Sequence, residues 1–436
     1  MTAKLFPQLF EGYAYSYPHK HAYRHMDPLA LDKLWANEKK DALFLYVHLP
    51  FCEMRCGFCN LFTVANPQED VVDAYLKALA LQASVVRESL NPQGFSRIAV
   101  GGGTPTFLEL HQLKALFGII RSMGAEPQNI PLSFEMSPKT IDDDKLRFLK
   151  DNGVDRVSIG IQSFLDNETK ALGRPQKNRE VVDALNRIRR YNFDTLNLDL
   201  IYGTHGQSPE DWQYSLEQAL TFEPEEIFIY PLYVRALTGI TRMAQQATDQ
   251  REVLYRQAKR YLTEAGYEQI SMRLFRRSNV NSSKAAVNYS CQEDGMIGLG
   301  AGARSYTSEV HYSSEYAVAR GNIRHIIGDY IAKDAEAFRY ADYGIVLPIE
   351  EQKRRFLIKS ILHASALDTK RYETLYGSAA LNDFPQLQDL LAHGLANTGQ
   401  SGLISLSSVG IDHSDAIGPW LYSDPIKERI QTFELK

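Results

Sequence analysis

Two rhythms of apolar and polar positions alternate along the first 270 residues. Short runs rich in β-branched and aromatic residues, at 43–47, 97–100, 132–136, 156–161, 195–201 and 226–230, predict strands. Between them, stretches with apolar residues every three or four positions predict amphipathic helices at 71–90, 110–123, 142–150, 179–191 and 211–220, with a further helix at 251–265. Asp142 and Asp211 stand where an N-cap or a first-turn acid favours a helix start. Six strand–helix units in succession predict an α/β fold on a parallel sheet, doubly wound or curled into a partial or complete (β/α) barrel; the strand count favours the barrel.

After residue 270 the rhythm changes. A glycine-rich stretch, 295–302, precedes a helical run at 321–340. Three short helices, 350–363, 369–376 and 384–393, then lead to a hairpin at 402–411. Helices followed by a wing predict a C-terminal α+β module of winged-helix type. The chain therefore divides into an aromatic and basic arm (1–42), a (β/α) core (43–270), a barrel-adjacent, substrate-side extension (271–345) and the C-terminal module (346–436).

Composition narrows the function classes. With 44% hydrophobic and 23% charged residues, the chain is an ordinary globular protein that can bury a core. Its 48 Lys and Arg against 53 Asp and Glu leave a formal charge of −5, and no basic block argues for nucleic acid as partner. No apolar run reaches the roughly 18 residues of a membrane span, and the first twenty residues lack the pattern of a secretory signal. The expectation is a cytoplasmic protein acting on a small molecule.

Four cysteines are too few for a disulfide framework, yet Cys52, Cys56 and Cys59 fall within eight residues, directly after the first predicted strand. Three thiolates at C-x3-C-x2-C spacing can hold three irons of a cubane cluster, leaving the fourth iron open to chelate a small molecule. The alternatives are a zinc site completed by His48, or cysteines that merely pack. Zinc sites usually draw on two separated cysteine or histidine pairs, and a second pair is missing. Phe58, beside the last cysteine, is placed to shield a cluster from water.

Later polar residues fall at or near the ends of predicted strands, where barrels and open α/β sheets place ligands. Gly101-Gly102-Gly103-Thr104 follows the second strand, Glu135 ends the third, Gln162 ends the fourth with Arg174 twelve residues on, and Asp199 lies in the fifth. Glycines let backbone N–H groups approach a ligand, and the run is not the dinucleotide fingerprint. Arg can pair a carboxylate bidentately, Glu can accept from an ammonium, and Gln or Asp from hydroxyls.

The segment YVHLPFCEMRCGFC, with an aromatic residue before the third cysteine, resembles the signature of radical S-adenosylmethionine (radical SAM) enzymes. More narrowly it resembles the oxygen-independent coproporphyrinogen III oxidase-like family, which includes haem-chaperone-like proteins and class C radical methyltransferases. The resemblance implies a radical SAM barrel holding a [4Fe–4S] cluster on the three cysteines, and one or two molecules of SAM. It places Gly102, Gly103, Thr104, Glu135 and Arg174 at the methionyl end of SAM, Gln162 and Asp199 at the ribose, and Tyr46 with Leu232 and Val234 near the adenosine. The implied chemistry is reductive cleavage of SAM to a 5′-deoxyadenosyl radical that abstracts hydrogen from an organic substrate, with a porphyrinogen as one reading. C-methylation or cyclopropanation with a second SAM, and haem carriage without turnover, are the alternatives. An electron donor such as flavodoxin or ferredoxin is implied as a partner.

The arm, with Tyr13, Tyr15, Tyr17, Pro18, His19, Lys20, Tyr23 and Arg24, resembles the segment that covers the active site in the oxidases and suits a flat, carboxylated ring. The chain departs from the oxidases where they carry a further cysteine and it has Leu61, and around Asn288 to Gly295; GLGAGARSY is nearer the chaperone-like and methyltransferase branches. These departures suggest a distinct subfamily. Cys291 is the candidate catalytic cysteine, as hydrogen donor or substrate contact, although an isolated cysteine more often packs as a small hydrophobe. Arg235 and Arg304 are candidates for substrate carboxylates or a second SAM.

Overall fold

The computed structural model describes all residues except 1–4, 15, 235–236, 240–248, 279–283, 285–288, 363–365 and 436. Six strands, Leu43–Leu49, Phe95–Gly102, Leu132–Met136, Arg156–Gln162, Thr195–Tyr202 and Glu226–Pro231, lie side by side in chain order and parallel. The helices between them include Glu69–Leu90, Leu110–Ser122, Asp143–Asp151, Asn178–Arg190 and Pro209–Leu220. Parallel neighbours require such crossovers, and the helices bury the outer face of the sheet. Leu43, Leu45, Val47 and Leu49 are buried in that core. The alternate residues Phe44, Tyr46 and His48 face the lumen, because successive side chains on a strand point to opposite faces. Helix starts follow local chemistry: Asp142 accepts the Lys145 N–H at 2.8 Å, and Ser208 with Asp211 forms a capping box.

Among the described residues the sheet does not close: it continues beyond the six strands to thirteen, with Arg24–Ala30 at one edge and Tyr267–Gln269 at the other. The barrel is therefore partial. Met296–Leu299 adds in parallel beside Leu43–Leu49, and antiparallel strands complete that flank, so the extension after residue 271 is part of the same sheet. The arm contributes strand Arg24–Ala30, where the sequence shows no clear element.

Two other expectations change. The helix expected at 321–340 is Arg320–Ala332; Tyr340–Val346 is a strand, held by partners on both sides and alternating exposed and buried residues at its start. The hairpin pairs Ala396–Thr398 with Leu403–Leu406, and residues after Ser407 turn into a short helix because the Ser407 hydroxyl accepts the Gly410 N–H.

The C-terminal module runs helix, strand, helices, strand, strand: Ile349–Ile361, Leu367–Asp368, Thr369–Tyr376, Ala380–Asp383, Gln386–Ala392, Ala396–Thr398 and Leu403–Leu406. Its three strands form a separate antiparallel sheet, and three further helices, Ser408–Asp412, Ser414–Trp420 and Asp424–Gln431, follow it. Its hydrophobic core is distinct from that of the barrel and takes in Phe6, Tyr17 and Tyr23 of the arm. No described helix is long and apolar enough to cross a membrane.

Candidate active site

The cysteine loop begins where the first parallel strand ends. Phe51–Cys52 pairs briefly with Val64–Ala65, closing a loop that carries all three clustered cysteines to the C-terminal mouth of the sheet. None is in a disulfide, and all three line one cavity of about 1230 Å³. Burial pushes the Cys52 thiol up to about 12, against a hydrogen bond from Thr104; burial also raises Cys56, against the opposing charge of Arg174. Thiolates are the ligands that metals take, so these thiols need a positive centre to hold them deprotonated. Among the described residues the three sulfurs are not gathered within 4.8 Å, as ligands of one ion would be. Both ring nitrogens of His48 are engaged, with the Tyr46 hydroxyl at 3.1 Å and the Phe62 carbonyl at 3.2 Å, and burial lowers its pKa to about 4. Neither finding favours zinc, and the donor set fits a multi-iron cluster.

The same cavity is walled by strand ends. Gly101, Gly102 and Gly103 press against their neighbours: a Cβ on Gly102, whose φ is +113°, would fall 2.6 Å from the His48 ring, and one on Gly103 would fall 2.4 Å from the Phe51 carbonyl oxygen. Only glycine fits there, leaving a cradle of bare backbone. Glu135 accepts the Gly102 N–H at 3.0 Å. Its accessible surface faces the cavity, yet burial within the protein pushes its carboxyl up to about 7, with the Gly102 bond opposing and Asp199 adding to the rise. Burial likewise raises Asp199 to about 6, against the Asn197 amide, which donates to it at 2.8 Å. Two carboxyls with raised pKa at one mouth form a place ready for a cation or for hydroxyl donors.

Arg174 ties this wall to the cysteine loop. Its Nη1 lies 3.5 Å from the Cys56 sulfur, Nη2 donates to the Gly160 carbonyl at 2.8 Å, and Nε donates to Gln176 Oε1 at 2.8 Å. Gln162 is buried at a strand bulge with φ +65°, a left-handed conformation rare outside glycine.

Of the residues singled out from the sequence, Cys52, Cys56, Phe58, Cys59, Gly102, Gly103, Thr104, Glu135, Gln162, Arg174, Asp199 and Leu232 all line this cavity. Four lie elsewhere. Tyr46 is on the lumen face beneath the mouth, where its hydroxyl meets His48 instead of the cavity. Val234 is exposed outside the cavity, after the chain has left the strand at Pro231. Cys291 precedes strand Met296–Leu299, which runs parallel to Leu43–Leu49, so the cysteine sits toward the end of the sheet opposite the cluster loop; its carbonyl accepts from Arg355. That separation removes Cys291 from chemistry at the mouth. Arg304 donates to Ser16 and lies off the cavity, while Tyr15 and Arg235 fall outside the described residues.

Sequence reasoning missed Glu53, Ser137, Ser158 and Tyr230, which also face the cavity. Ser137 donates to Glu53 Oε1 at 2.7 Å, and Glu53 Oε2 is buried with no hydrogen-bond partner, a further acceptor waiting for a donor. Their positions, one after Cys52 and two after Glu135, are the signal that could have found them. The outer wall comes from afar: His19, Lys20 and His21 of the arm, Tyr316, and Trp420, Tyr422, Lys427 and Ile430 of the C-terminal module. Lys20 Nζ lies 3.3 Å from the centre of the Tyr316 ring. Beneath them, buried Arg273 and Asp415 form a bidentate pair that also receives the Tyr233 hydroxyl, and the Tyr13 ring lies 3.8 Å from the Arg273 guanidinium. Arm, barrel and module are thus fastened at one point.

The family model of the radical SAM superfamily matches residues 46–219. Among curated relatives, the heme chaperone HemW of Bacillus subtilis is 28% identical over 366 residues, which is 82% of this chain and 93% of that protein. The oxygen-independent coproporphyrinogen III oxidase of Salmonella typhimurium is 26% identical over 431 residues, covering 92% of this chain and 90% of the relative. The solved structure of coproporphyrinogen III oxidase (HemN) from Escherichia coli, a radical SAM enzyme, aligns over 98% of this chain and 100% of its own, with a TM-score of 0.79 at 23% identity. The fold is shared along the whole length.

Proposed function

Because the chain belongs to the radical SAM superfamily, in its oxygen-independent coproporphyrinogen III oxidase-like family, we propose that it abstracts hydrogen from a carboxylated tetrapyrrole of porphyrinogen type, leading to oxidative decarboxylation. The observation that carries this reading is a single cavity with two unlike walls: cysteines, glycines and carboxyls within, histidine, lysine and aromatic rings without. At about 1230 Å³ it exceeds the roughly 300–1,000 Å³ of one small-molecule site, which leaves room for SAM and a substrate together.

When bound, the [4Fe–4S] cluster and SAM would supply reductive cleavage of the SAM C5′–S bond and removal of a hydrogen atom from the substrate, whose radical would lose carbon dioxide and pass its one electron to an external one-electron acceptor. The protein's residues do the rest. Cys52, Cys56 and Cys59 hold the cluster, and Arg174 offsets the negative charge of the Cys56 thiolate while its other nitrogens keep the cysteine loop against the fourth strand. Glu135, ionised by a cationic partner, receives the SAM ammonium; Gly102 and Gly103 bring backbone beside the methionyl chain. Asp199, oriented by Asn197, accepts from the ribose hydroxyls, with Gln162 beside it. The basic and aromatic outer wall holds substrate carboxylates and ring, and arm and module together exclude water.

The test is anaerobic reconstitution with iron and sulfide, then SAM, dithionite and coproporphyrinogen, with products read by mass spectrometry. 5′-Deoxyadenosine together with loss of carbon dioxide from the porphyrinogen is the expected result. S-Adenosylhomocysteine would replace this reading with methyl transfer, and stoichiometric haem uptake without SAM cleavage would replace it with a carrier.

A further inference from the structure

The lumen of the barrel has a second polar centre, toward the end opposite the cluster loop. Phe44, Met296, Tyr306 and His311 are partners in a row across four adjacent strands, so all four side chains share the lumen face. Arg304, two residues before Tyr306 on the same strand, points the same way. Helix Ile349–Ile361 of the C-terminal module brings Arg355 and Lys359 to this place, four residues apart and therefore on one face of the helix. The guanidiniums of Arg304 and Arg355 lie 5.6 Å and 6.0 Å from the centre of the Tyr306 ring. Arg355 also donates to the Gln292 carbonyl at 2.6 Å and to the Cys291 carbonyl at 3.0 Å, which sets Cys291 beside it. None of Cys291, Arg304, Tyr306, His311, Arg355 and Lys359 lines the large cavity at the mouth.

Three cations meet here, and the segments that build the place supply no acid to balance them: residues 278–292, 295–308 and 352–367 contain neither Asp nor Glu. The two acids between the first pair of segments have other partners. Arg371 donates to Glu293 at 3.1 Å, and Asp294 accepts the Ser290 N–H at 2.6 Å. Burial lowers the pKa of Lys359, with the Cys291 thiol opposing and Arg355 and Arg304 adding to the fall. Burial also holds His311 well below the usual imidazole range, and the same three cations add to it. His311 is 1% exposed, and among the described residues neither of its ring nitrogens has a hydrogen-bond partner. A buried neutral imidazole with an idle donor and an idle acceptor, its ring 4.3 Å from that of Tyr306, is a group awaiting a ligand. Cys291, Arg304, Tyr306 and Lys359 each keep part of their surface accessible, so a small molecule has groups to touch.

We propose that Arg304, Arg355, Lys359 and His311 form a binding site for a small, doubly charged oxyanion of phosphate or dicarboxylate type. Charge sets the class, because buried cations are ordinarily paired and three of them call for an anion with more than one charge. Hydrogen-bonding geometry sets the atoms: arginine forks pair carboxylate or phosphate oxygens, lysine donates as a point charge, and neutral His311 adds one N–H. The anion binds and leaves unchanged, and the site is independent of the cluster assignment. Its place in the fold gives it a consequence. Arg304 donates to Ser16 at 2.9 Å, in the arm whose His19, Lys20 and His21 wall the mouth, while Arg355 and Lys359 belong to the C-terminal module. An anion held here ties arm, sheet and module together from below the mouth.

The experiment titrates the anaerobically reconstituted full chain with inorganic phosphate and, separately, with malonate, by calorimetry at an ionic strength fixed with chloride. Saturable one-to-one binding of either anion is the expected result, and the tighter of the two names the type; binding of neither at millimolar concentration would overturn the proposal. Lys359→Met, which removes the charge and keeps an unbranched chain, should weaken binding about tenfold, whereas Lys20→Met at the mouth should leave it unchanged. Equal affinity in Lys359→Met, or loss in Lys20→Met alone, would place the anion elsewhere and overturn the site. A second readout needs no variant. Alkylation of Cys291 by iodoacetamide, followed peptide by peptide by mass spectrometry, should slow about tenfold when the anion stands at ten times its Kd, since only about one molecule in eleven is then unoccupied. Alkylation of Cys291 that ignores a saturating anion would also overturn the proposal. Because both readouts are of binding, failure of SAM cleavage would count against the functional reading and leave this test intact.

Discussion

Arg174 brings its Nη1 to 3.5 Å from the Cys56 sulfur while its Nη2 donates to the Gly160 carbonyl at 2.8 Å, so one guanidinium joins the cluster loop to the fourth strand. Lysine, a point charge without the planar fork, cannot serve both. Arg174→Lys should keep its iron but bind SAM about ten- to a hundredfold more weakly, in line with the roughly 1.5–3 kcal/mol of a hydrogen bond to a charged group. Titration calorimetry on the reconstituted variant decides this; unchanged affinity would remove Arg174 from the SAM site.

Glu135 should make the protein sensitive to pH. Its carboxyl is raised from 4.5 to about 7, so the proton it holds favours the folded state. That contribution is fully present below about pH 4.5 and is lost as pH rises through 7. Without ligands, the chain should lose Tm relative to Glu135→Gln across this window. SAM affinity should move the opposite way, rising through pH 7 as the carboxylate forms to meet the ammonium. In Glu135→Gln that rise should vanish, leaving only a smaller step near pH 6 from Asp199. Parallel pH profiles for Glu135→Gln and the unaltered chain, with identical SAM affinity, would contradict the role.

The cysteines should separate cleanly into two kinds. Cys56→Ala should assemble little or no cluster and cleave no SAM, whereas Cys291→Ala, altered toward the opposite end of the sheet, should retain both. Iron content, visible absorbance and 5′-deoxyadenosine yield are the readouts. Full iron in Cys56→Ala would be fatal to the cluster assignment.

The Arg273–Asp415 pair is buried on both sides, at 4% and 1% exposure, and joins barrel to C-terminal module. Removing one partner of such a pair strands a charge and typically costs about 3–5 kcal/mol. Asp415→Ala should therefore shift the denaturant midpoint strongly, and Arg273→Met/Asp415→Leu should recover much of the loss. Tyr13 rests on the same guanidinium, so the single variant should also expose the arm to protease. Equal protease resistance would mean that the arm is held elsewhere.

The parallel core was legible because its signals are local. A run such as Leu43 to Leu49 carries its own alternation, and Asp142 and Ser208 mark helix starts within a turn of where they act. The cysteine loop was legible for the same reason, since its three candidate ligands happen to fall within eight residues of one another on the chain. Strands Arg24–Ala30 and Tyr340–Val346 were not: the first pairs with the second more than three hundred residues away, and the second is held between it and Val310–Ser313. Long-range pairing likewise decided that the barrel stays open, that Tyr46 lies beneath the mouth, and that Cys291 lies toward the far end.

The outer wall is the clearest case. Nothing in the local pattern of Trp420, Lys427 or Ile430 marks them as cavity residues; they become so because the arm threads into the core of the C-terminal module and Arg273 reaches Asp415 across the interface. The sequence by itself determined which residues could hold a cluster and a charged cofactor, since that chemistry depends on residue type and close spacing. Which distant surfaces close over that cofactor, and so what shape and charge the substrate meets, was decided only by tertiary structure, where burial and long-range pairing choose among contacts that local pattern leaves open.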